Sequence, residues 1–162
     1  MLVPRPKYID TKISETQSVF DIVQQIKIAI KNSIYQAKKI QKIIRKNTQN
    51  DDQFLRQVWA LSKKIITYKK EPFWKQTAKT FSRIWHDGFG DCKHFTIFIA
   101  SILKNDDKYK NKVYLRIIEH NGKDYTHIYT IIKDGNKEIV IDGTAKEPFK
   151  EARYNRKIDF KV

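Results

Sequence analysis

The feature that most constrains this chain is its single cysteine, set in Gly90-Asp91-Cys92-Lys93-His94-Phe95 ahead of the apolar run Phe95–Leu103. Phe95, Phe98, Ile99 and Ile102 recur in that run at the spacing of one helical face. A Gly-Asp step before such a run reads as a helix start, which puts Cys92 in the first turn. The unpaired N–H groups and positive dipole end there favour a thiolate. A lone thiol so placed has the makings of a nucleophile, and a nucleophilic cysteine needs a base. The competing expectation is a small buried hydrophobe, the usual fate of a free cysteine.

The base has a candidate downstream. Tyr125-Thr126-His127-Ile128-Tyr129-Thr130-Ile131-Ile132 alternates and is rich in β-branched and aromatic residues, so it reads as a strand. His127 shares a face there with Tyr129 and Ile131. Asp134-Gly135 reads as a turn, and Lys137–Asp142 as the returning strand of a hairpin. That pairing brings Asp142 toward His127, giving a thiol, a base and an orienting carboxylate. Alone, His127 reads as a half-buried strand histidine and Asp142 as the start of an Asp-Gly turn; their order with Cys92 is what favours the catalytic reading.

These segments, GDCKHF, THIYTII and IVIDGT, carry a resemblance to the transglutaminase-like superfamily of papain-type cysteine enzymes. The chain is also similar to short transglutaminase-like proteins of phages and prophages. The likeness spans roughly residues 50 to 145 and includes Gln57-Val58-Trp59-Ala60 and Ile66-Thr67-Tyr68 upstream of the cysteine. It implies Cys92, His127 and Asp142 as a catalytic triad and an oxyanion donor upstream, for which Trp59 and Gln57 are the candidates. Trp85, like Trp74, is a candidate wall of the substrate groove. Lys93-His94 departs from the pattern, in which an acidic or small residue often follows the cysteine. The departure bears on local electrostatics and substrate class.

The implied activity is attack on an amide or peptide carbonyl, finished by water (peptidase or amidase) or by an amine (transglutaminase-type acyl transfer). No cofactor or metal is implied: one thiol and scattered histidines lack the paired-ligand spacing of structural zinc. His94, His86 and His120 are expected at the surface. The alternative is a non-catalytic structural or interaction protein of a phage particle, its basic surface docking an acidic partner or nucleic acid.

Charge gives that alternative its weight. The chain of 162 residues carries a net charge of +15, and its first 70 residues are the more basic part. A basic surface invites polyanions. Lysine and isoleucine abound together, however, as an AT-rich genome would produce, and arginine-aromatic interleaving is scarce. The length bounds the chain to one domain, 1–162, read as a basic helical extension (1–49), a core (50–145) and a tail (146–162). Charges interrupt every apolar run before membrane-spanning length, and a single cysteine suits a reducing cytoplasm. The expected location is therefore the cytoplasm of a bacterial host, or a virion, with no membrane partner.

The expected fold class is α+β, with N-terminal helices packed on a small antiparallel sheet and the cysteine opening a helix. A first helix starts after Ser18, capped with Asp21, with a break allowed at Asn32-Ser33. A second spans about 52–67 behind an Asp51 or Asp52 cap, and a shorter one about 77–86. Lys104–Asn111 reads as a polar loop. Val113–Ile118 forms a strand, with a turn at Asn121-Gly122, and Lys157–Val162 a last strand.

Overall fold

The computed structural model describes residues 18–72, 76–120, 122 and 125–162. Ser18 caps α1 (Val19–Lys46): its hydroxyl accepts from the Asp21 amide, and the Asp21 carboxylate accepts from the Ser18 amide at 2.8 Å. The helix runs unbroken through Asn32-Ser33. The Ser33 hydroxyl donates to the Ala29 carbonyl at 2.5 Å and accepts the Phe81 amide at 2.8 Å, so it is satisfied inside the core.

The cap of α2 (Asp51–Ile65) is Asn50, whose side chain accepts from the Gln53 amide at 2.9 Å. Asp51 and Asp52, expected as caps, instead fill the first turn, where a carboxylate meets the positive dipole end. The two residues of β1 (Thr67–Tyr68) pair in parallel with β2 (Phe89–Gly90), and α3 (Phe81–Asp87) lies between them in sequence. α3 starts later than its apolar pattern suggests, because the Thr77 amide is held by the Glu71 carboxylate at 2.7 Å and 77–80 stay non-helical.

The cysteine helix, α4 (Cys92–Leu103), is buried at every position from Lys93 to Leu103. Its residues are apolar on nearly every side, the mark of a central helix. It packs against α1, α2, α3 and β4. The sheet comprises β3 (Val113–Glu119), β4 (Tyr125–Asp134), β5 (Lys137–Ile141) and β6 (Arg156–Lys161), in the order β5-β4-β3-β6, all antiparallel. The α+β class is thus as expected. The β4–β5 turn sits one residue later than the sequence suggests, because Asp134 still pairs with Lys137 and leaves Gly135 and Asn136 to turn, Gly135 at φ 60°.

Two polar anchors brace this core. Asp106, in the stretch expected as a plain polar loop, is buried and accepts from Gln41 at 2.9 Å and Arg45 at 2.6 Å, tying the end of α1 to the loop after α4. On the other face of the sheet, the fully buried Arg116 donates to Asp159, Glu151 and Glu138, each at 2.8 Å. Among the described residues, no helix is long and apolar enough to cross a membrane.

Candidate active site

Asp91 is the N-cap of α4, its carboxylate accepting from the Lys93 amide at 3.1 Å, so Cys92 occupies the first helical position. An amide there has no intrahelical acceptor. The thiol is half-buried. Thr96, one turn on, stitches the helix to the sheet: its hydroxyl lies 2.8 Å from the Cys92 carbonyl and 3.1 Å from that of Ile128. Ile128 is the neighbour of His127, so the cysteine turn and the histidine strand are joined one residue from each other.

The β4–β5 ladder ends at Ile141, opposite Thr130. The chain therefore leaves the sheet just where the next residues can reach His127. Asp142 Oδ2 lies 2.6 Å from His127 Nε2. Its Oδ1 accepts from the Thr144 amide and hydroxyl, each at 2.8 Å. With Nε2 engaged by the carboxylate, Nδ1 is the edge left for the thiol, and Cys92 stands close enough to act on the imidazole as a hydrogen-bond partner.

The electrostatics follow from this geometry. Burial pushes the His127 imidazolium toward losing its proton, but Asp142 and Cys92 outweigh it and raise the pKa to about 10. Burial likewise opposes the Asp142 carboxylate, and His127 and Thr144 hold it below the usual range. The two shifts agree in describing a proton shared toward histidine, an imidazolium–carboxylate pair.

The upstream residues take distinct places. The Trp59 indole N–H donates to the Asp142 backbone carbonyl at 2.9 Å, which engages its single donor. Gln57 is exposed on α2. Trp85 stacks on Phe98 (centroids 5.8 Å apart) and tilts against Phe81. Trp74 lies outside the described residues. Tyr68 is paired in register with Gly90, two residues before Cys92; burial, then Cys92, Asp91 and Asp142, raise the pKa of its hydroxyl and keep it a donor.

His94 is not at the surface as expected: it is fully buried. Its Nδ1 lies 3.1 Å from both the amide nitrogen and Oδ1 of Asp91, and its Nε2 lies 3.3 Å from the Thr77 hydroxyl. Lys93 is buried beside it, bonded to Asp91 and, at 2.6 Å, to Gln76. Burial alone would raise the Asp91 carboxyl, but His94 and Lys93 bring it down to about 2. The Lys93-His94 pair thus ties Glu71, Gln76 and Thr77 to the cysteine turn. Nothing in the sequence marks these polar side chains as interior, because Glu71, Gln76 and Thr77 lie 17 to 23 positions away.

Two residues at the site had legible signals. Thr144 belongs to Asp142-Gly143-Thr144, whose carboxylate-to-amide bond two residues on is the Asx-turn habit of aspartate. Gly143 is required by space: a Cβ there would meet Phe95 Cδ1 at 2.5 Å and Ser62 Oγ at 2.9 Å. His86 is exposed, as expected, but His120 is half-buried and lines a cleft of ≈ 410 Å³ with His127, Asp142, Lys146, Lys150 and Glu151. Among the described residues, no group of three or more histidine, cysteine or acidic side chains is placed to hold a metal ion.

No family model matches the chain, and no curated protein matches it. Among solved structures, it is similar to a candidate protease from Parabacteroides distasonis ATCC 8503, with a TM-score of 0.58 and 10% identity. The match covers 78% of this chain and 26% of that one, so the chain spans about a quarter of its neighbour's length. At that identity the likeness shows a shared fold.

Proposed function

We propose that the protein is a transglutaminase-like cysteine hydrolase acting on an amide or peptide carbonyl. The observation that carries the reading is the 2.6 Å bond from His127 Nε2 to Asp142, with the thiol of Cys92 close enough to act as a hydrogen-bond partner of the same imidazole. In the first step Cys92 Sγ attacks the carbonyl carbon, and the developing oxyanion meets the free amide of Cys92 and the Tyr68 hydroxyl. His127, holding a proton at neutral pH, passes it to the leaving amine as the C–N bond breaks and a thioester remains. Water then attacks the thioester and gives a proton to His127, and the C–S bond breaks to release the carboxylic acid and leave the Cys92 sulfur as a thiolate beside the imidazolium. Asp142 keeps the ring oriented and supports its cation throughout. The cleft beside His127 is open to solvent, which favours water over an amine as the second nucleophile. The shared fold with a candidate protease is in keeping with this choice.

The test is alkylation of Cys92 by iodoacetamide at neutral pH, since the thiolate is the reacting form. The expected result is a rate well above that of glutathione, falling to the glutathione level in His127→Ala. Equal rates in the two proteins would overturn the reading. Cys92→Ala, which should remain folded by circular dichroism, supplies the blank.

A second reading rests on α1. Lys31, Lys38, Lys42 and Lys46 are exposed along it with Tyr35, which is 83% exposed, and no ion pair among the described residues involves these lysines. In this reading the helix docks on a polyanion. A fluorescent DNA duplex should bind with an affinity that falls steeply with salt; salt-independent binding, or none, would count against it.

A further inference from the structure

The cleft beside the triad carries an imbalance of charge. Asp142 in its wall is engaged by His127 and Thr144. Glu151 is engaged by the buried Arg116 at 2.8 Å and by the Tyr129 hydroxyl at 2.7 Å. Both carboxylates are thus engaged by a cation and a hydrogen-bond donor within the protein. The cations are not. Lys146 lines the cleft with no ion pair among the described residues, and Lys150 has only the exposed Glu147 at 3.6 Å. Behind the same segment Lys63 is bonded to the Ala145 carbonyl at 2.8 Å, which leaves its charge uncompensated. One contact ties the segment to α2: Phe149, beside Lys150, sits at φ 64° with the Arg56 guanidinium 4.9 Å over its ring.

From this we infer that the cleft selects substrates bearing a carboxylate next to the amide that Cys92 attacks, with Lys146 and Lys150 as the recognising groups. The inference rests on the nucleophilic reading of Cys92 and names its substrate class. A pair of exposed lysines lining a solvent-open cleft attracts a carboxylate without demanding bidentate geometry, which suits a flexible acidic side chain or a chain terminus.

The experiment compares two alkylating probes of similar size, anionic iodoacetate and neutral iodoacetamide, on Cys92 at low salt. The iodoacetate-to-iodoacetamide rate ratio should exceed that of glutathione several-fold. In Lys146→Glu/Lys150→Glu it should fall by about 5- to 10-fold, as expected for reversing two charges that line the same cleft as His127. Lys137→Glu/Lys161→Glu makes the same change in net charge at the opposite end of the sheet and should leave the ratio near wild type. An equal fall in both variants would assign the effect to net charge and overturn the inference, as would a wild-type ratio equal to that of glutathione. As a direct probe, N-acetyl-triglutamate amide should slow iodoacetamide alkylation of wild type, while N-acetyl-trilysine amide should not; protection by both or neither also overturns it. A raised, cleft-dependent ratio on a thiol no faster than glutathione would keep the cleft and remove the nucleophile. Fast alkylation with no charge preference would do the reverse.

Discussion

The indole N–H of Trp59 donates to the backbone carbonyl of Asp142 at 2.9 Å, joining positions 83 residues apart. The bond fixes the point where the chain leaves β5, and with it the carboxylate that orients His127. Trp59→Phe keeps an aromatic ring but removes the donor and the second ring of the indole, leaving the Asp142 carbonyl with the Ala145 amide at 3.2 Å as its remaining partner. We expect a loss of about 1–3 kcal/mol in urea unfolding and slower Cys92 alkylation. Alkylation at the wild-type rate in a destabilised variant would show that Trp59 supports the fold and not the site.

The His127–Asp142 pair sets a pH signature of stability. The folded imidazole has a pKa raised to about 10, against about 6.5 when unfolded. Its contribution is therefore complete below about pH 6.5 and is lost as pH rises toward 10. The Asp142 shift is downward, so its contribution is complete above the ordinary carboxylate range and is lost in acid. Wild type should lose more of its urea midpoint between pH 6 and pH 10 than Asp142→Asn, measured in parallel. Parallel profiles would show that the pair is not coupled to folding.

Gly90 faces the base of His94: a Cβ there would lie 2.5 Å from His94 Cβ and 2.6 Å from its Cγ. These atoms cannot swing aside without moving the first turn of α4. Gly90→Ala should cost roughly 1–3 kcal/mol, the range of overpacked cores, and slow alkylation of Cys92 by displacing the turn. A thermal melt and the iodoacetamide rate check both effects; a fully stable, fully reactive variant would contradict the crowding.

Arg116 is fully buried among Asp159, Glu151 and Glu138. Arg116→Met leaves three carboxylates without their cation and should destabilise by about 3–5 kcal/mol. Because the same guanidinium holds Glu151 at the cleft wall, raising pH should deepen the defect and lowering it should relieve it. Denaturation midpoints at pH 5 and pH 8 test this.

Much of the framework is written locally. The period of Phe95, Phe98, Ile99 and Ile102 marks a helix, and Asp91 at its start is a competent cap with Cys92 next to it. The alternation of Tyr125–Ile132 and the turn before Lys137 mark a hairpin, and both strands form. Caps and periods depend on residues within four positions of each other, which is why they can be read along the chain. Local signals also misled. Asn32-Ser33 looked like a break because the partner that satisfies Ser33, the amide of Phe81, is 48 positions away.

The sequence by itself determined the α+β order of elements, the place of Cys92 at a helix start, and the strand that carries His127, because each follows from short-range hydrogen bonding and hydrophobic periodicity. Only the tertiary structure decided the rest. It closed the 2.6 Å contact of His127 with Asp142 and turned Trp59 onto the Asp142 carbonyl. It buried Lys93 and His94 beside the cysteine turn and left Lys146 and Lys150 beside the cleft with little to neutralise them. Those outcomes depend on which distant groups exclude water from one another, and a linear pattern carries no record of that.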